Sequence, residues 1–91
     1  MAQIIVSLRI MPEGVEVNLD SIIESVKEKV SSFGGEVGKA EKVPVAFGIQ
    51  ALSVLFVMDE SKGSTDRLES EISTLPGVES VEVTDVRRAL G

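Results

Sequence analysis

Cysteine and histidine are both absent from the 91 residues. Without cysteine there is no disulfide framework, no thiolate zinc or iron–sulfur site and no cysteine nucleophile. Without histidine, imidazole acid–base chemistry and most transition-metal sites are excluded as well. Tryptophan and tyrosine are missing, so Phe33, Phe47 and Phe56 are the only aromatics. Basic residues are in deficit: 9 Lys+Arg face 15 Asp+Glu, for a net charge of −6. Such a chain lacks the basic surface and stacking platforms that nucleic acid requires. Apolar runs extend over only a few residues, far short of a membrane span, and Met1-Ala2-Gln3 opens no leader of the basic-then-apolar kind. The expectation is a soluble cytoplasmic protein with no membrane partner and no direct nucleic-acid partner.

What is present suits one domain over residues 1–91, with a hydrophobic fraction of 43% that is enough for a single core. Residues 3–11 alternate, with Ile4, Val6, Leu8 and Ile10 on one face, and predict a strand that Pro12-Glu13-Gly14 breaks. Over 18–31 the period changes. Leu19, Ile22, Ile23, Val26 and Val30 recur at helical spacing, Asn18 or Asp20 can cap the start, and Gly34-Gly35 ends the helix. A weak, charged strand at about 36–43 suits a sheet edge, and Pro44 to Gly48 reads as a break or bulge. Residues 49–58 are apolar on both faces and predict a central strand. One of its rows, Leu52-Val54-Phe56-Met58 or Ile49-Ala51-Leu55-Val57, must then point away from the helices and leave an apolar patch. Asp59 to Gly63 is a polar turn. Leu68, Ile72 and Leu75 mark a second helix at 65–75 that Pro76-Gly77 terminates. A last strand covers about 79–87, followed by a basic tail from Arg87 to Gly91. The order β-α-β-β-α-β predicts an α+β, ferredoxin-like sandwich: a four-stranded antiparallel sheet with both helices on one face.

Conventional catalytic signals are weak. Glu69 and Glu71 are two apart on a helix and do not face each other. Asp59-Glu60 lacks calcium-loop spacing and reads as a turn. Gly34-Gly35 and Gly63 fit no phosphate-loop pattern; Gly63 with Ser64-Thr65-Asp66 reads as a turn and helix cap. No serine has a recognisable base, so no enzyme and no cofactor are implied. Two features stand out instead. Pro44-Val45-Ala46-Phe47-Gly48 is an apolar segment where turns are normally polar, and composition leaves open whether Phe47 plugs the sheet or stands free. Arg87-Arg88 is a basic pair in an acidic chain, for which a surface salt bridge is the plain explanation.

The segment Lys42-Val43-Pro44-Val45-Ala46-Phe47-Gly48-Ile49, the Asp59-Glu60 turn and the ending Val81 to Arg88 resemble the archaeal branch of the elongation factor 1-beta/delta guanine nucleotide exchange family. The resemblance covers essentially the whole chain and implies a ferredoxin-like fold. It also implies guanine nucleotide exchange on the GTPase elongation factor 1-alpha, without covalent catalysis. By resemblance, Phe47 matches the family aromatic that enters a pocket on the GTPase, within a contact made by Pro44, Val45, Phe47 and Gly48. Arg88 matches the lysine that reaches the GTPase's magnesium site, with Arg87 before it. Strands two and four are expected to run parallel, so that Phe47 and the arginines bracket one site from the same end. The alternative reading is a ferredoxin-like regulatory domain that binds a small ligand. An acylphosphatase-like enzyme fits poorly, since its glycine-rich anion loop and catalytic asparagine have no counterpart.

Overall fold

Periodicity places the elements in their true order. In a computed structural model of the protein, residues 2–89 are described. They run β1 (Gln3–Pro12), α1 (Leu19–Phe33), β2 (Glu36–Ala46), β3 (Ile49–Asp59), one 3₁₀ turn at Glu60–Lys62, α2 (Asp66–Ser73) and β4 (Val78–Arg88). The strands form one antiparallel sheet in the order β2-β3-β1-β4, with the two helices on one face, as the ferredoxin-like reading requires.

The central pair carries the core. Val6, Leu8 and Ile10 of β1 and Leu52, Val54, Phe56 and Met58 of β3 face the helices. They pack against Ile22, Val26 and Val30 of α1 and Leu68 and Ile72 of α2. The other β3 row, with Ile49, Ala51, Leu55 and Val57, points away from the helices. It is not a continuous apolar patch. Leu55 pairs with Ser7 and Lys39, and Ser53 pairs with Arg9 and Glu41, so charge and hydroxyls interrupt it.

Local chemistry fixes the helix ends. The Asn18 carboxamide accepts the Ser21 amide at 3.2 Å, and Gly34, at φ 101°, closes α1 in the left-handed conformation. Asp20, the other candidate cap, instead meets Lys42 of β2 at 3.1 Å. Before α2, Ser64 Oγ accepts the Asp66 amide at 3.0 Å, while the Thr65 hydroxyl donates to Glu69 at 2.7 Å.

Three expectations need correction. The segment 44–48 is a bulge, not a break: β2 continues to Ala46 with a register shift between Pro44 and Ala46, and only Phe47 and Gly48 form the turn. Proline is tolerated there because an edge strand has ladder partners on one side only. Arg87 and Arg88 are not tail; they are the last residues of β4, paired with Ile5 and Ile4. Leu90 and Gly91 of the expected tail lie outside the described residues. Finally, β2 and β4 run in opposite directions. β2 is antiparallel to β3, β3 to β1, and β1 to β4, so β2 shares the direction of β1 and β4 that of β3.

The ladder between β1 and β3 ends at Ile10 opposite Leu52, so residues 49–51 pair with β2 alone. The β2–β3 hairpin therefore overhangs the sandwich, consistent with extents of 42 × 21 × 17 Å. Phe56 is fully buried at the centre of the core. Replacing it with alanine should cost about 3–5 kcal/mol, measured by chemical denaturation, and in so small a domain that should abolish most of the folded population at 37 °C.

Candidate partner-docking site

The overhanging hairpin ends in a two-residue turn. Ala46 pairs with Ile49, and the residues between them, Phe47 and Gly48, have φ of 53° and 77°. Positive φ at both central positions is the type I′ pattern, whose backbone twist matches that of the strands. Glycine takes this conformation freely. A phenylalanine does not; the left-handed region costs an L-residue roughly 1–2 kcal/mol, and Asn would be the favoured occupant. Phe47 is the only non-glycine with positive φ among the described residues.

That strained side chain makes little contact with the protein. Phe47 is 97% exposed, which answers the question composition left open: it does not plug the sheet. Val43 and Val45 are exposed behind it, and Pro44 and Gly48 are exposed beside it. Val15, from the loop between β1 and α1, is also exposed and lies against the turn. Sequence reasoning missed Val15. It is a lone apolar residue between Gly14 and Glu16, with no periodicity to mark it.

The arginines lie at the other end. Arg88 is level with Ile4 of β1, which is level with Met58 of β3. Met58 lies eleven positions along the chain from Phe47, about 35 Å at ~3.3 Å per residue. The single site bracketed by Phe47 and the arginine pair therefore does not exist. At this second end both cations have partners. Arg88 Nη2 donates to Glu60 Oε2 at 3.0 Å, and Arg87 Nε to Asp85 Oδ2 at 2.7 Å. The Ala89 amide donates to the Gln3 carbonyl at 2.8 Å and ties the strand end down. These exposed pairs hold geometry more than they contribute stability.

Glu60 is itself fixed by a small backbone knot. Its amide donates to the Ala2 carbonyl at 3.0 Å, and Asp59 Oδ1 accepts the Ser61 amide at 2.9 Å. That amide, with the Ser61 hydroxyl and the Lys62 charge, holds the Asp59 carboxyl below its ordinary 3.8. Asp59 is the last residue of β3 and caps the 3₁₀ turn that Glu60 opens, in keeping with the turn read from the sequence.

A model of the EF-1 guanine nucleotide exchange domain matches residues 5–89. The chain belongs to the EF-1 guanine nucleotide exchange domain family. It is 34% identical over 90 residues to the elongation factor 1-beta of Methanothermobacter thermautotrophicus, covering 99% of this chain and 100% of that one. It is 38% identical over 89 residues to that of Hyperthermus butylicus, covering 97% and 96%. Solved structures add the fold alone. The de novo designed protein Foldit4 superposes with a TM-score of 0.67 at 22% identity, covering 98% of each chain. The C-terminal domain of MgtC from Mycobacterium tuberculosis gives 0.64 at 19% identity, covering 97% of this chain and 88% of that one. Within the exchange-domain match lie both ends of the molecule, from the Phe47 turn to Arg88.

Two predictions follow from the geometry of this exchange domain. Replacing Phe47 with Asn should raise stability by about 1 kcal/mol in urea denaturation, because the new residue accepts the left-handed turn. The Asp59 carboxyl should titrate below 3.8 when followed by NMR. A depressed folded value means its contribution is present above the unfolded value and lost as pH falls through the folded one. Asp59→Asn should therefore flatten part of the stability loss on the acid side of about pH 4.

Proposed function

We propose that this protein promotes GDP release from the translation GTPase elongation factor 1-alpha, acting in the cytoplasm as a non-enzymatic exchange factor. The observation that carries the reading is Phe47: a member of an exchange family holds an aromatic 97% exposed, in a strained backbone conformation, at the tip of a rigid hairpin. An apolar ring held in water at a conformational cost has its use outside the monomer. The regulatory-domain alternative has no comparable feature in its favour.

An exchange factor forms and breaks no covalent bond. It binds the empty GTPase better than the GDP-loaded one, and reciprocity then weakens GDP to the same degree. A thousandfold faster release requires about 4 kcal/mol off the dissociation barrier. In this reading Phe47 supplies the anchor, with Pro44, Val45 and Gly48 around it. Arg88, assisted by Arg87, supplies a cation near the partner's magnesium and β-phosphate, where it would compete with the metal. Because the two ends are about 35 Å apart, they meet separate parts of the GTPase. The rigid sheet transmits anchoring at one end into placement of charge at the other. Arg88 must exchange Glu60 for the partner, a step of low cost for an exposed pair.

Release of labelled GDP from purified elongation factor 1-alpha tests this. The wild-type protein should accelerate release, and Phe47→Ala should lose most of that acceleration while its unfolding midpoint does not fall. Arg88→Ala should lower the maximal rate at both low and high salt. Weaker binding at low salt alone, with the maximal rate intact, would leave the two arginines as docking charges screened over about 8–10 Å.

A further inference from the structure

Five large apolar residues are exposed among the described residues: Val15, Val43, Val45, Phe47 and Val86. Single exposed valines are ordinary. Four of these five, however, gather at one end of the molecule around one turn, and Val15 comes from a different element. It is 65% exposed. Its Cγ1 stands 3.9 Å from where a Cβ on Gly48 would lie, an ordinary contact distance. The loop that carries it is anchored at its base, the Glu13 amide donating to the Gly77 carbonyl at 2.8 Å. Val17, two residues on, turns inward and packs against the core. Val15 is thus held outward beside the turn while its neighbour is committed to the interior.

We infer that Val15 is a second apolar contact, and that the Phe47 turn and the β1–α1 loop dock together into one apolar protein socket with a basic rim. The inference rests on the exchange reading of Phe47 and extends the docking surface to a second element. Charge selects the occupant. Glu13 and Glu16 flank Val15, both exposed, and the whole chain carries −6. Two copies meeting tip to tip would oppose like charges, whereas lysines and arginines around a pocket on the GTPase would complement them. A side chain of valine size removed from such a contact should weaken binding about tenfold, the equivalent of ~1.4 kcal/mol.

The test is the affinity of the full chain for nucleotide-free elongation factor 1-alpha, measured by calorimetry for Val15→Ser, Phe47→Ala, the double variant and Glu16→Lys. Val15→Ser should bind about tenfold more weakly with an unchanged unfolding midpoint. The double variant should lose less than the product of the single losses, since the two side chains share one socket. Glu16→Lys should weaken binding at low salt, and the difference should close as salt rises. If Phe47→Ala weakens binding and Val15→Ser does not, this inference fails and the exchange reading stands. If neither weakens it, both fail. Self-association of the wild-type chain that Val15→Ser abolishes, with affinity for the GTPase untouched, would overturn the inference by making the occupant a second copy.

Discussion

The pairing of β3 with β1 on one side and β2 on the other is the constraint from which the rest follows. Residues 52–57 of β3 are clamped between both neighbours, and their helix-facing row is buried. Residues 49–51 continue the same strand past the end of its ladder with β1, with β2 as their sole partner. The turn at Phe47 is therefore the free end of a beam whose other half lies in the core. Its position is set chiefly by ladder hydrogen bonds and by the core packing of the strands behind it, with Val15 alongside Gly48. A two-stranded ribbon alone would be marginal; this one is an extension of a four-stranded sheet.

The same arrangement separates two chemistries. Apolar side chains collect where β2 turns into β3. Cations collect where β3 and β4 end, and there each arginine is held by a carboxylate, Glu60 or Asp85. Neither end resembles an active site. The side chains that stand out do so by being strained and exposed, as Phe47 is, and none is a buried catalytic group. Under the proposed function, binding energy would be gathered at the first end and charge delivered at the second, as a non-covalent exchange device needs. Strain at the turn is also a cost to the free protein, and under the proposed docking role it is stability given up for function.

Much of this was legible in the sequence, and the misreadings have physical causes. The change from a period of two to 3.6 gave both helices, and the two-faced apolar run at 49–58 gave the central strand. Pro44 suggested a break because proline interrupts most strands, but β2 is an edge and its backbone is half unpaired in any case. Arg87 and Arg88 looked like tail because charge dominates the residues. Their pairing with Ile5 and Ile4 follows from how early β1 begins. The opposed directions of β2 and β4 were implicit in the topology, since each β-α-β unit keeps its two strands parallel and the central strands are antiparallel. Val15 had no periodic signal at all; only its contact with the turn gives it meaning.

The central claim is that one rigid sheet spans two separate contacts on the GTPase. Photo-crosslinking groups placed singly at positions 47 and 88, in the complex with nucleotide-free elongation factor 1-alpha, test it most directly. The account predicts that each position labels its own peptide of the GTPase, the two sites about 35 Å apart, with the position-88 label beside the nucleotide. Labelling of one shared peptide from both positions, or of none from position 47, would contradict it.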